Sequence, residues 1–90
     1  AMLTFSTKGS GQGKLPSLVK ETYNEIIQEN PKLEKLIDGE LQFDAAYVEA
    51  VGAKKAPHSN VAGAANVFIF PDLNSGNIGY KIAERLGGYE

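Results

Sequence analysis

An α/β fold, with a mostly parallel sheet flanked by helices, is what this sequence predicts. Three short apolar runs alternate with three stretches whose apolar residues recur at three- and four-residue steps. The runs are apolar throughout rather than alternating with polar residues, which is the pattern of strands covered on both faces. Ninety residues are enough for one core and no more.

The first run, Ala1-Met2-Leu3-Thr4-Phe5-Ser6-Thr7, predicts a strand. The stretch from Lys8 to Lys14 carries Gly9, Gly11 and Gly13, a density that predicts a loop. Pro16 suits the first turn of a helix, where a missing N–H costs nothing. Leu15, Leu18, Val19, Thr22, Tyr23, Ile26 and Ile27 then line one face, with Lys20, Glu21, Asn24 and Glu25 opposite, until Asn30-Pro31 ends the helix. Leu36-Ile37 predicts a second extended piece, turned by Asp38-Gly39. Phe43, Ala46, Tyr47, Ala50 and Val51 give a second helix, closed by Lys54-Lys55 and stopped by Pro57. Residues 57–65 read as a loop of small side chains able to pack tightly beneath another element. Asn66 to Phe70 is the clearest strand, β-branched and aromatic, cut by Pro71. Asn74-Ser75-Gly76-Asn77 reads as a turn and helix cap, and Ile78, Ile82, Ala83 and Leu86 as a third helix ended by Gly87-Gly88. Three strands make a thin sheet with an open edge, so further strands are expected from a longer protein. The abrupt start in a strand and the stop just after a helix end point the same way.

Composition narrows the function classes. Net charge is −2 and the basic residues are scattered, only Lys54-Lys55 being adjacent, so neither a nucleic-acid footprint nor a polybasic membrane patch is expected. No apolar run approaches the roughly 20 residues of a membrane span, and no leader pattern opens the chain, which makes a cytoplasmic location the expectation. The absence of cysteine excludes disulfides, thiolate catalysis and cysteine-ligated metal within these residues.

Three clusters are candidates for chemistry. The loop Lys8-Gly9-Ser10-Gly11-Gln12-Gly13-Lys14 sits between strand and helix, where phosphate-binding loops occur. It is not a P-loop, because Lys8 stands where the first glycine belongs and Leu15 follows Lys14. The dinucleotide fingerprint fails as well, with Lys14 at the third glycine position. What remains is a flexible loop whose Lys8 and Ser10 are ligand candidates. The second cluster is Phe70-Pro71-Asp72-Leu73-Asn74-Ser75-Gly76-Asn77, at the carboxyl end of a strand and the start of a helix, a place that suits anions. Ser75, Gly76 and Asn77 offer donors there, with Lys81 one turn on; the plainer reading is that Asn74 or Ser75 caps the helix. Third, Asp38 and Glu40 flank Gly39 and are expected on one side of an extended segment, usable for acid–base chemistry or a divalent ion, with Asp44 close after. The plainer reading is a turn followed by an acidic first helical turn. His58 has no partner at metal-ligand spacing and reads as a surface histidine.

Two of these clusters also carry a family resemblance. Asp38-Gly39-Glu40-Leu41-Gln42-Phe43-Asp44-Ala45-Ala46 is similar to a stretch characteristic of phosphate acetyltransferases, as is Asn66 through Lys81. The opening Ala1 to Ser10 resembles the strand and loop of the same family, so the likeness spans the whole chain. The resemblance implies a segment of the C-terminal half of a phosphotransacetylase, part of a two-domain fold like that of isocitrate and isopropylmalate dehydrogenases. It implies reversible transfer of an acetyl group between coenzyme A and inorganic phosphate, in a homodimer, with acetyl-CoA as substrate, no tightly bound cofactor and no metal. The family's Ser-Arg pair and Asp belong to a motif C-terminal to these residues, and Arg85 matches none of its arginines. No catalytic residue is therefore carried over. Ser75, Gly76, Asn77, Tyr80 and Lys81 are expected near the cleft as coenzyme A or phosphate contacts, with Lys8 and Ser10 as weaker candidates, and the 90 residues alone are expected to be inactive. Two alternatives stand beside this: the phosphotransacetylase-like C-terminal domain of a malic enzyme, and a folded, non-catalytic binding or assembly module.

Overall fold

The computed structural model describes residues 1–89. Strand β1 (Met2–Leu3) leads through the glycine-rich loop into helix α1 (Lys14–Glu29). A 3-10 turn (Pro31–Lys35) and strand β2 (Gly39–Leu41) follow. Helices α2 (Phe43–Tyr47) and α3 (Glu49–Lys55) come next, then an extended stretch, then α4 (Leu73–Gly87). β1 pairs in parallel with β2, Met2 opposite Gly39 and Leu3 opposite Leu41. Met2 also makes a parallel bridge to Ile69, which places β1 between the other two chain segments. All three segments therefore run the same way, and the loops that follow them emerge at one end of the sheet. In open α/β layers that end is where ligands bind.

The second strand lies at Gly39–Leu41, not at the predicted Leu36-Ile37. Leu36 and Ile37 instead close the 3-10 turn, both donating their N–H groups to the Leu33 carbonyl, and the Leu36 side chain is exposed. Gly39 accordingly opens a strand rather than completing a turn. Apolar character misplaces this strand because its three residues include a glycine and a glutamate. The predicted strand at Asn66–Phe70 shrinks to the single bridge at Ile69, with Val67 and Ile69 both more than half exposed. Two backbone bonds hold it, Ile69 N–H to the Ala1 carbonyl and Leu3 N–H to the Ile69 carbonyl, both 2.8 Å. β1 is also shorter than its apolar run, because Thr4 Oγ1 accepts from Ser6 N–H at 2.9 Å and turns the chain. The single helix expected from Phe43 to Lys55 is two, broken at Val48, whose backbone is extended (φ −91°, ψ 118°).

The core forms around Leu3, Leu41, Ala46 and Ala56, with Ala62, Ala65 and Phe68 packed against it. Its alanines allow close backbone approach. Gly63 and Ala65 donate their N–H groups to the carbonyls of Ala45 and Ala46, at 2.9 and 3.1 Å. The small-residue stretch thus tucks beneath α2 and α3 as its composition suggested. Phe43, Tyr47 and Phe68 form an aromatic cluster beside this core, the Phe43 and Phe68 centroids 5.0 Å apart. Helix α4, by contrast, buries none of its residues.

Candidate functional site

The loop after β1 first folds back along β2, and its glycine-rich part is exposed. Lys8 donates its N–H to the Glu40 carbonyl at 3.1 Å, and Thr7 Oγ1 accepts from the Gln42 N–H at 2.8 Å. Lys8 is the one non-glycine residue with a left-handed backbone among those described (φ 48°), followed by Gly9 at 88°. Ser10 secures this turn: its N–H donates to the Thr7 carbonyl at 3.0 Å and its hydroxyl accepts from the Thr7 N–H at 2.9 Å. The turn aims the Lys8 ammonium at Asp38, whose carboxylate it pairs with, and at the Gly39 carbonyl, 2.9 Å away. The same ammonium lies 5.1 Å from the centre of the Tyr23 ring.

These groups line a cleft of about 390 Å³ that also includes Glu34 and His58. The Tyr23 phenol is pushed above its ordinary range, first by burial and then by the negative charges of Asp38 and Glu34. Sequence spacing gave no hint that His58 shares a cleft with Lys8 and Asp38, since 50 and 20 residues separate them along the chain. The structure also corrects the pairing of Asp38 with Glu40. Asp38 is turned onto Lys8 and the Gly39 N–H, whereas Glu40 lines a different cleft, with the glycine-rich loop and α1. The two carboxylates do not act as a pair.

At the other candidate cluster, α4 starts at Leu73, and its cap is Asp72 rather than Asn74 or Ser75. Asp72 Oδ1 accepts from the Ser75 N–H at 2.7 Å, and the Ser75 hydroxyl donates to the Asp72 carbonyl at 3.1 Å. The spacing of an aspartate three residues before a serine, just after a proline, is a start signal that locates this cap. Gly76 donates its N–H to the Asp72 carbonyl at 3.1 Å and faces the Phe70 ring together with Gly79. A Cβ at Gly79 would stand 2.8 Å from two ring carbons, so that glycine is what lets Phe70 lie against α4. Asn77, Tyr80 and Lys81 are exposed, with the Lys81 ammonium 5.0 Å from the centre of the Tyr80 ring. The first turns of α4 are open to approach at Asn77, Tyr80 and Lys81, and the helix starts at the same end of the sheet as the loop that follows β1. Neither Ser75 nor Lys81 lines the clefts around Lys8 and Glu40.

Comparison with known proteins places this architecture. The profile of the phosphate acetyl/butaryl transferase family matches residues 1–90. A phosphate acetyltransferase of Staphylococcus aureus is 56% identical over 92 residues, covering all of this chain and 28% of the relative. One from Staphylococcus epidermidis is 53% identical over 94 residues, with the same coverage. Among solved structures, a phosphotransacetylase from Streptococcus pyogenes superposes with a TM-score of 0.91 at 54% identity, over 99% of this chain and 27% of that one. The EutD phosphotransacetylase from Staphylococcus aureus gives 0.87 at 54% identity. The chain thus spans a little over a quarter of the length of the curated relatives it matches. With a family profile matched from end to end and relatives more than half identical across it, the chain belongs to the phosphate acetyl/butaryl transferase family.

Proposed function

We propose that this chain is a portion of a phosphate acetyltransferase, forming part of the wall of the site where coenzyme A and phosphate bind. The observation that carries this reading is the 56% identity to a phosphate acetyltransferase over every residue of the chain. The geometry agrees with it. Parallel strand segments direct the Phe5–Gly13 loop and the start of α4, entered through Pro71 and Asp72, to the same end of the sheet. The complete protein folds as two α/β domains similar to those of isocitrate and isopropylmalate dehydrogenases, works as a cytoplasmic homodimer, and uses acetyl-CoA and phosphate without a tightly bound cofactor. This chain is one part of one domain.

In the reaction, the coenzyme A thiolate attacks the carbonyl carbon of acetyl phosphate. A C–S bond forms, the carbonyl electron pair moves to oxygen, and on collapse the C–O bond to phosphate breaks. Such a path needs a proton acceptor for the thiol and donors for the oxyanion and the leaving phosphate. None of the described residues is assigned the acceptor role, which belongs to groups elsewhere in the full-length protein. Ser75, Gly76, Asn77, Tyr80 and Lys81 are binding contacts, with Lys81 supplying positive charge. The Ser75 N–H and hydroxyl both donate to Asp72, so Ser75 offers a ligand the acceptor side of its hydroxyl. Lys8 and Ser10 are committed to their own turn and to Asp38, and contribute by fixing the loop that frames the cleft.

The test is coenzyme A-dependent formation of acetyl phosphate by the full-length protein and by the 90-residue piece. Turnover is expected in the first alone, and turnover by the short piece contradicts the placement of the reacting groups outside it. In the full-length enzyme, Lys81→Ala is expected to raise KM for coenzyme A or phosphate about threefold or more, on the order of 0.7 kcal/mol of binding. An unchanged KM removes Lys81 from the site.

A further inference from the structure

Asp38 is 5% exposed, and one oxygen of its carboxylate, Oδ1, accepts from two donors. The Gly39 N–H reaches it at 2.8 Å, and the Lys8 ammonium pairs with it from the loop after β1. That ammonium also donates to the Gly39 carbonyl at 2.9 Å and stands 5.1 Å from the centre of the Tyr23 ring, so the start of β2, the loop and α1 meet at this pair. The Lys8 backbone is left-handed (φ 48°), a conformation that costs a residue with a side chain and suits a glycine. Strain of this kind persists where the surroundings over-determine it, and here the ion pair of the side chain does so. Handing the ammonium to a ligand would leave the Asp38 carboxylate out of water with its charge uncompensated, which is the costly way to open a buried pair. Lys8 is thus a fixed anchor. Beyond it the Ser10 N–H bonds to the Thr7 carbonyl and the Gly11 N–H to Ser6 Oγ, while Gly9, Gly11 and Gly13 bring no side chain that could hold the loop.

We propose that Asp38 is a positioning residue for acetyl transfer: through Lys8 it fixes the glycine-rich loop at residues 8–13, and so sets the affinity for coenzyme A rather than the rate of the chemical step. The proposal rests on the function given above, in which this loop belongs to the wall of the site and the reacting groups lie elsewhere in the full-length protein. Asp38 is buried beneath Lys8 and touches no ligand itself. Its effect is on how narrowly the loop is held before the ligand arrives, which lowers the ordering that binding must supply.

The test uses the full-length protein as wild type and with Asp38→Ala, Asp38→Asn, Lys8→Met and the Asp38→Ala/Lys8→Met pair, and reads acetyl-transfer kinetics and amide hydrogen exchange. Asp38→Ala is expected to raise KM for coenzyme A about fivefold, roughly 1 kcal/mol, and to change kcat less than about twofold. Asp38→Asn keeps an oxygen that accepts from both donors and is expected to recover part of that loss. Lys8→Met is expected to match Asp38→Ala, and the double variant to be no worse than either alone, as for two residues acting through one contact. In the ligand-free protein, Asp38→Ala is expected to speed exchange at the Lys8, Ser10 and Gly11 amides, with α2 unchanged. An unaltered KM, or a fall in kcat without a rise in KM, overturns the proposal. So does a KM that rises with Lys8→Met but not with Asp38→Ala, which would make Lys8 a ligand contact, and so do additive effects in the double variant. Should the Asp38 variants not fold, Lys8→Met carries both readouts with the same expectations, and unaltered exchange then overturns the proposal. A wild type that transfers no acetyl refutes the function proposed above, and exchange at the three amides alone then decides whether Asp38 fixes the loop.

Discussion

Residues in this chain often serve a neighbour before they serve a ligand. Asp72 is the clearest instance, its carboxylate holding the Ser75 N–H at the start of α4. Asp72→Ala is expected to destabilise the protein by about 1 kcal/mol, the usual worth of such a cap, seen as a lowered denaturation midpoint. No change in midpoint would mean that α4 does not depend on its cap. Tyr23 gives a pH-dependent prediction. Its folded pKa is raised by burial and by Asp38 and Glu34, so the folded chain keeps a proton that the unfolded chain releases. The associated stability is complete below the ordinary tyrosine range and is lost as pH rises through the raised folded value. The difference in tyrosinate absorbance between wild type and Tyr23→Phe should titrate above the ordinary value, and a midpoint at the ordinary value would contradict the cleft geometry.

At the scale of elements, small residues set how closely the pieces approach. Gly52 on α3 packs against backbone, and a Cβ there would stand 2.7 Å from the Gly63 nitrogen and 2.8 Å from the Ala45 oxygen. Backbone cannot swing aside as a side-chain tip can, so Gly52→Ala is expected to cost about 1–3 kcal/mol despite the better helix propensity of alanine. A denaturant midpoint equal to that of the wild type would show that α3 and the 57–65 stretch are looser than described. The helices α1 and α4 were legible in the sequence because their apolar spacing is regular over four turns. β2 was not, since Gly39, Glu40 and Leu41 owe their strand to pairing with β1 rather than to apolar character. The Val48 break was hidden for a related reason: apolar residues continue at helical spacing on both sides of it, and only the backbone turns.

For the whole molecule, the parallel layer and the order of its parts followed from the sequence, as did the glycine-rich loop after the first strand and the helix start after the last one. The separation of Asp38 from Glu40, and the meeting of Lys8, Tyr23 and His58 around one cleft, depend on how the loop folds back, which local pattern does not encode. α4 buries none of its residues, with Ile78, Ile82 and Leu86 all more than half exposed. Its exposure agrees with a chain that spans 28% of its relatives' length. Amide hydrogen exchange on the full-length protein, with and without coenzyme A, tests most directly whether the glycine-rich loop and the start of α4 form the ligand's wall. The account predicts that coenzyme A slows exchange in residues 8–13 and 72–81, with the core strands and α2 unaffected. Exchange in both segments that stays the same while the ligand is demonstrably bound would contradict it.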